Sequence, residues 1–209
     1  MAETSPPSRR TMQAEQTRRD IVAAARPLFA AQGYAATSVA QIAAAAAVSV
    51  QTIYDSVGSK GAIVRQLNAL LDEEGGVAEL ASRIPAETDP VELLQIAVAI
   101  SRNINERCED IVGAVYSAAS AEPEMSAVRD ESRRRHREGI GRLAGRLFAL
   151  DALRPDLEVD TAADVIAALT DPQVARTFVK EYGWSWTRWH AWTVEALSTL
   201  VLRAKRGAS

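Results

Sequence analysis

The strongest constraint on the fold is the spacing of apolar residues, which recur at intervals of three and four along nearly the whole chain. This spacing places side chains on one face of a helix, and the alternation typical of a strand is absent. One such face comprises Ile21, Val22, Ala25, Leu28 and Phe29, and Gly33 is positioned to end that helix. We therefore predict an all-α protein, with a bend at Pro27.

Two short helices are predicted after this first one. Ser38 and Gln41 have the spacing of a capping box, and the alanines that follow are the best helix formers. Ser49 is a good N-cap for a second short helix through Tyr54, and small side chains such as Ala43 allow the two helices to cross closely. Two short helices joined by a tight turn on a longer helix constitute a helix-turn-helix unit.

The rest of the chain predicts further helices and a division into segments. We expect a disordered arm at 1–11, the helix-turn-helix domain at 12–58, a connecting helix at 59–82 and a larger helical domain at 83–209. The apolar spacing predicts helices over 60–82, 91–107, 109–119, 123–150, 159–170, 172–182 and 185–205.

Charge and composition restrict the function classes. Residues 1–65 carry seven basic and four acidic side chains, whereas the whole chain has a net charge of −3. A basic N-terminal unit on an acidic body is typical of a nucleic-acid-binding protein with a second function. No apolar run is long enough to cross a bilayer and no secretory signal is evident, so we expect no membrane partner and a cytoplasmic location.

Cysteine and histidine are scarce. The single cysteine, Cys108, excludes an intrachain disulfide, and two histidines leave too few ligands for a recognisable zinc site. We expect no metal and no cofactor, with Cys108 a small buried hydrophobic residue.

The segment from Arg18 to Val64 resembles the DNA-binding domain of the tetracycline-repressor (TetR) family of bacterial transcription regulators. The resemblance covers about a quarter of the chain, in order and without a gap. It implies an N-terminal three-helix DNA-binding domain and a larger helical domain for ligand binding and dimerisation. The matching residues are Ala25, Phe29, Gly33, Tyr34, Thr37, Ser38, Val39, Ile42, Ala43, Val48, Ser49, Ile53, Tyr54, Ser59 and Lys60.

The resemblance implies double-stranded DNA as a partner and a role for each matching position. The second short helix would lie in the major groove, where a glutamine can pair with adenine and a valine can touch a thymine methyl group. The side chains facing base edges would be Ser49, Val50, Gln51 and Thr52, and those contacting phosphate would be Thr37, Ser38, Tyr54 and Lys60.

Some positions depart from the family pattern or stay open. Ala47 stands where the family usually has glycine, and an alanine at positive φ costs about 1 kcal/mol. Asp55 places an acid beside the expected phosphates, which repels them unless the carboxylate is turned away or caps a helix. The basic residues Arg9, Arg10, Arg18 and Arg19 form either a minor-groove arm or a solvated tail.

The larger domain is either a plain helical bundle or, as in the family, a helical domain with a hollow core that binds a small effector. His136 falls on an apolar helix face, where a histidine is either a core residue or a ligand contact. Few polar groups converge on this face, which favours a largely apolar effector. The candidate effector contacts are Asn103, Cys108, Tyr116, His136 and Trp184.

The last helix carries an aromatic face that predicts a two-fold dimer interface, together with the helix at 159–170. The alternative is that these tryptophans pack within one chain. The predicted interface residues are Trp186, Trp189, Thr193, Leu197, Leu200 and Val201.

These observations predict a homodimeric DNA-binding regulator, a repressor released from a palindromic operator by a small effector. One alternative is a DNA-binding or protein-interaction module that is indifferent to ligands. Another is an enzyme that uses Cys108 and His136, although no orienting motif accompanies them.

Overall fold

The structure is a computed structural model that describes residues 8–204. Apart from one isolated bridge between Leu153 and Leu202, the described residues form helices and the segments that join them, which confirms the all-α prediction. The helices are α1 (Arg9–Ala36), α2 (Val39–Ala45), α3 (Val50–Ser56), α4 (Lys60–Glu74), α5 (Val77–Ala81), α6 (Pro90–Arg107), α7 (Glu109–Ala121), α8 (Ser126–Ala149), α9 (Val159–Leu169), α10 (Pro172–Arg176) and α11 (Trp186–Val201), with a 3₁₀ turn at Pro123–Met125 and a π-helical turn at Thr177–Glu181.

The chain divides into two compact units. Within the described range, the first unit comprises residues up to Leu70 together with Asp110–Arg129. The second unit comprises Leu71–Glu109 and the residues from Asp130 onward. Helix α7 therefore belongs, apart from its first residue, to the same unit as α1 to α3, although it is distant from them in sequence.

In the first unit, α1 begins earlier and ends later than the sequence pattern predicts. Ser8 caps its N-terminus, so residues 9–11 of the expected arm are helical, while residues 1–7 lie outside the described range. Pro27 is exposed, and no residue beside it leaves helical φ and ψ values. The interruption is at Gly33, whose φ of 75° is the left-handed conformation that glycine adopts most easily.

The second unit has a core formed by α6, α8, α9 and α11. Helix α11 packs against α6 and α9, and α10 packs against α6. The helix predicted at 60–82 ends at Glu74 and restarts as α5, because Gly75 and Gly76 interrupt it and Gly76 has a φ of 66°. Among the described helices, none is both long and apolar enough to span a membrane. The buried side chains of this core include Leu93, Leu94, Val98, Leu143, Leu147, Ile166, Trp189 and Leu197.

Candidate nucleic-acid interface

Helix α2 is held at its start by a complete capping box, as the sequence predicts. The Ser38 hydroxyl accepts a hydrogen bond from the backbone N–H of Gln41 (3.2 Å), and the Gln41 side chain accepts one from the N–H of Ser38 (2.8 Å). Ile42 and Ala43 are buried, and α2 packs against both α1 and α3. The alanine tract thus forms the supporting helix of a helix-turn-helix.

The turn after α2 has the hydrogen bonds of a Schellman motif. The N–H of Ala47 donates to the carbonyl of Ala44 (3.2 Å), and the N–H of Val48 donates to the carbonyl of Ala43 (3.0 Å). Ala47 has a φ of 54°, so the turn keeps the left-handed geometry expected for a glycine. The chain therefore bears the strain of an alanine at this position and does not reshape the turn.

Helix α3 presents a polar and aromatic outer face on a single buried anchor. Ile53 is fully buried, while Val50 is 39% and Tyr54 is 50% exposed. Gln51 is exposed on the same outer side. A short, well-capped helix with exposed hydrogen-bonding groups has the shape and chemistry to enter a major groove.

Asp55 contacts Gln51 directly. The Gln51 side-chain amide donates a hydrogen bond to the Asp55 carboxylate (2.8 Å), one helical turn away. The carboxylate is exposed and caps no helix. It therefore holds the amide N–H of the side chain best suited to reading adenine.

The hydroxyls near the two caps are committed to local structure. The Ser49 hydroxyl accepts from the N–H of Thr52 (3.0 Å) and pairs with the Thr52 hydroxyl (2.8 Å). The Ser38 hydroxyl also donates to the Gln41 side chain (3.0 Å). These three residues lie where the sequence places them, at the starts of the short helices, and their hydroxyls first of all hold those helices.

Thr37 and Lys60, which the sequence predicts to contact phosphate, make contacts within their own unit. Thr37 is only 1% exposed, and its hydroxyl donates to the carbonyl of Gly33 (2.8 Å). The Lys60 ammonium donates to the carbonyls of Tyr34 (2.9 Å) and Thr37 (3.1 Å), and it lies 4.0 Å from the Tyr34 ring centroid. Both side chains are turned inward because the end of α1 leaves carbonyl groups that need donors.

One residue of the basic N-terminal region contacts the helix-turn-helix itself. The Arg18 guanidinium donates to the carbonyl of Ser56 at the end of α3 (3.0 Å). A cation at a helix C-terminus also interacts favourably with the helix dipole. Arg18 therefore supports α3, a role that the sequence pattern did not indicate.

Helix α7 contacts α1 through groups that the sequence analysis missed. The buried Tyr34 donates its backbone N–H to the Ser117 hydroxyl (3.1 Å) and its phenol to the Glu122 carboxylate (2.8 Å). Burial, and next the bond to Glu122, raise the pKa of the Tyr34 phenol. No local pattern could have revealed these pairs, because more than 80 residues separate the partners.

A second link joins the same helices. The Arg26 guanidinium forms a two-pronged ion pair with Asp110 at the start of α7. Burial alone would raise the pKa of Asp110, but the bonds from Arg26 and from the N–H of Ile111 outweigh it and lower that pKa. Tyr34 and Arg26 together attach α7 to the helix that supports α2 and α3.

The five candidate effector residues do not lie in one unit. Tyr116 belongs to the first unit and the other four belong to the second. His136 has partners within the protein, since its Nε2 atom lies 3.0 Å from the Thr170 hydroxyl and 3.3 Å from the Ala167 carbonyl. Burial lowers the pKa of His136, as expected for a neutral core histidine. Asn103 is half-buried, Cys108 is buried with Sγ 3.9 Å from the Glu74 carboxylate, and Trp184 stacks on Phe178.

Most of the predicted dimer residues are buried in the chain itself. The aromatic face of α11 packs largely against its own unit. Trp189, Thr193, Leu197 and Val201 are fully buried, Trp186 is half-buried, and only Leu200 is exposed.

A different aromatic cluster reaches the surface of the second unit. We call Phe178, Tyr182, Trp184 and Trp192 the aromatic patch. The Phe178 ring centroid lies 4.8 to 5.8 Å from those of the other three rings. Tyr182 is 64% and Trp192 is 37% exposed.

Comparisons with known proteins agree with this geometry. Residues 21–67 match the sequence profile described as "Bacterial regulatory proteins, tetR family". The matched residues run from the middle of α1 through α3 into α4. No curated protein sequence matches the chain significantly.

Solved structures extend the likeness to nearly the whole chain. NalD of Pseudomonas aeruginosa, the secondary repressor of a multidrug efflux pump, has a TM-score of 0.70 at 18% identity, with 92% of this chain and 99% of that chain covered. The TetR-family regulator PfmR of Thermus thermophilus gives 0.66 at 20%, covering 88% and 99%. A protein of Saccharomonospora viridis described as a transcriptional regulator, solved in complex with choline, gives 0.72 at 18%, covering 90% and 99%.

At these identities the structural likeness shows the fold alone. The sequence profile covers the capped helices α2 and α3. Residues 21–67 therefore match the tetR family in sequence and form a helix-turn-helix, and the chain as a whole has the fold of the TetR-family transcriptional regulators.

Proposed function

We propose that the chain is a homodimeric transcriptional repressor that binds a palindromic operator and leaves it when a small effector binds. The observation that carries this proposal is the outer face of α3, where Val50, Gln51 and Tyr54 are exposed on a capped helix. Such a regulator acts in the cytoplasm, where bacterial DNA lies.

The chemistry of α3 suggests how each side chain contributes. A glutamine amide can pair with both hydrogen-bonding groups of adenine, and a valine can contact a thymine methyl group. The Tyr54 hydroxyl suits a phosphate, which fixes the register of the helix without reading sequence. Ser49 and Thr52 hold the start of α3 at the groove, whereas Thr37 and Lys60 support the domain from inside.

Selection of bound sequences from random duplex DNA, followed by fluorescence anisotropy, tests this assignment. The full chain should prefer the selected duplex over random duplex by at least about 1,000-fold, and affinity should fall steeply as salt rises. Equal affinity for both duplexes, or a flat salt response, would contradict the proposal.

Two glutamine–aspartate pairs, one on α3 and one on α1, provide a test variant and its matched control. Gln51→Ala should weaken operator binding by about tenfold or more, because a good base contact contributes about 1 to 3 kcal/mol. Gln16 forms the same kind of pair with Asp20 on α1, with an amide-to-carboxylate distance of 2.8 Å. Gln16→Ala should therefore change affinity less than twofold, and equal losses would contradict base reading by Gln51.

A dimer is required for a palindromic site, since two recognition helices must lie about 34 Å apart. We assign the dimer face to the aromatic patch with the exposed Leu200, because exposed aromatic clusters mark association sites and a two-fold interface uses the same patch on both copies. Sedimentation of Trp192→Glu should show a monomer. Phe148, also exposed but outside the patch, provides the control variant Phe148→Glu, which should remain a dimer.

Effector control needs a mechanical link to α3. Helix α7 follows α6 directly in sequence and is tied to α1 by Tyr34 and Arg26, so any displacement of α7 acts on the helix-turn-helix. By linkage, an effector that lowers operator affinity must itself bind more weakly to the DNA-bound protein, by the same factor. A metabolite panel that stabilises the protein yet never releases DNA would favour the ligand-indifferent module instead.

A further inference from the structure

Four buried polar atoms on α6 and α11 have no hydrogen-bond partner among residues 8–204. They are Asn105 Oδ1, Trp189 Nε1, His190 Nδ1 and Thr193 Oγ1. Asn105, Trp189 and Thr193 are fully buried. Leaving a buried polar group unpaired is unfavourable, so a cluster of such groups is rare in a region that serves packing alone.

These atoms belong to one region of the second unit. Trp189 and Thr193 lie one turn apart on α11, with His190 beside them, and α11 packs on α6. Burial and then the charge of Arg102 lower the pKa of His190, which places this part of α6 next to the start of α11. Asn105 lies one turn beyond Arg102 on α6, and the α11 groups lie on the helix that packs on α6.

The free atoms define the chemistry of a guest. The indole N–H of Trp189 can only donate, and Asn105 Oδ1 can only accept, because the Asn105 amide nitrogen already donates to the Ser101 carbonyl (2.9 Å). The Thr193 hydroxyl can do both. A guest must therefore offer at least one acceptor and one donor, as an alcohol or a primary amide does.

Charge and packing narrow the class further. The nearby ionised groups are already in ion pairs, Arg102 with Glu106, and both Arg176 and Lys180 with Glu109. An ionic head group would therefore be buried without a counter-charge, at high cost. The core around these helices includes Val98 and Leu197, which suit an aliphatic tail.

We propose that the junction of α6 and α11 is the effector site, and that it takes a small neutral molecule with a hydroxyl or carboxamide head and a short aliphatic tail. Trp189 donates to the head, Asn105 accepts from it, and Thr193 completes the set. This assignment rests on the proposed regulatory function, but its test does not require DNA.

Calorimetric titration of the full chain with hexanamide tests the site, with hexanoate and hexyltrimethylammonium as charged probes of similar length. We expect hexanamide to bind with one site per chain and both ions to bind at least roughly tenfold more weakly. Thr193→Val should weaken hexanamide binding roughly tenfold. Thr199→Val, on the exposed side of α11 with its hydroxyl bonded to the Glu195 carbonyl, should leave binding unchanged.

The ligand-free variants provide an independent readout. Because the Thr193 hydroxyl has no partner among the described residues, Thr193→Val should melt at or above the temperature of the unchanged protein. A clear fall in its melting temperature, no binding of hexanamide, tighter binding of either ion, or an unchanged affinity in Thr193→Val would each overturn the site. Binding of hexanamide by a chain that recognises no operator would overturn the proposed function and leave the site standing.

Discussion

The helix-turn-helix and the α6–α11 region treat their polar groups in opposite ways. In the helix-turn-helix the polar atoms at the helix ends find partners within a few residues, as Ser38 does with Gln41 and Ser49 with Thr52. In the α6–α11 region, polar atoms of Asn105 and Thr193 are buried without partners in the described chain. The first arrangement makes a rigid platform, and the second keeps hydrogen-bonding capacity for another molecule.

Trp189 and Trp192, two of the three tryptophans of α11, give the largest expected difference. Trp189→Ala should lower the free energy of unfolding by about 3 to 5 kcal/mol, because it removes a fully buried side chain. Trp192→Ala, at an exposed position, should lower it by less than about 1 kcal/mol when measured on dilute protein. Urea unfolding measures both values, and similar losses would contradict the assignment of separate core and surface faces.

The link between α1 and α7 should have a smaller but specific effect. Tyr34→Phe removes the phenol that donates to Glu122 and should cost about 1 to 2 kcal/mol. Tyr54→Phe, at an exposed tyrosine of α3, should cost less than about 0.5 kcal/mol. A double-mutant cycle of Tyr34→Phe with Glu122→Gln isolates the pair, and a coupling energy near zero would remove it from the proposed route to α3.

Replacing alanine by glycine should change the stability in opposite directions at two positions, one in the turn of the helix-turn-helix and one in α2. Ala47→Gly should stabilise the protein by up to about 1 kcal/mol, since glycine relieves the positive φ. Ala44→Gly, inside α2, should destabilise it by about 0.5 to 1 kcal/mol. Thermal unfolding distinguishes the two, and a loss of stability in Ala47→Gly would show that the alanine is not strained.

The smallest expected effect concerns the pair on the outer face of α3. Asp55→Asn should change the free energy of unfolding by only about 0.3 kcal/mol, as exposed pairs one turn apart do. The same change removes a negative charge near the proposed phosphate contacts and weakens the charge-assisted hydrogen bond from the Gln51 amide, so operator affinity should rise by a fewfold. Anisotropy at low and high salt checks the charge effect, since a gain that persists at high salt would indicate the amide instead.

Local features of the first unit could be predicted because their causes are local. The capping box at Ser38, the N-cap at Ser49 and the left-handed turn at Ala47 each depend on residues within a few positions. Thr37 and Lys60 were placed correctly along the chain, but their inward direction was not, because the carbonyls that bind them are left over by the end of α1. Sequence spacing indicates the position of a side chain along its helix. It does not indicate whether that side chain points outward or binds backbone carbonyls of the same unit.

The amino-acid sequence by itself determined the helical class, the capped starts of α2 and α3 and the helix-turn-helix that they form, because helix spacing, caps and turns are short-range physics. The tertiary structure decided which apolar face of α11 is core and which is surface, and it joined α7 to α1 through Tyr34 and Arg26. Those outcomes depend on contacts between residues far apart in the chain. An aromatic helix face can be buried against its own chain or against another molecule, so only the packed fold could distinguish the two.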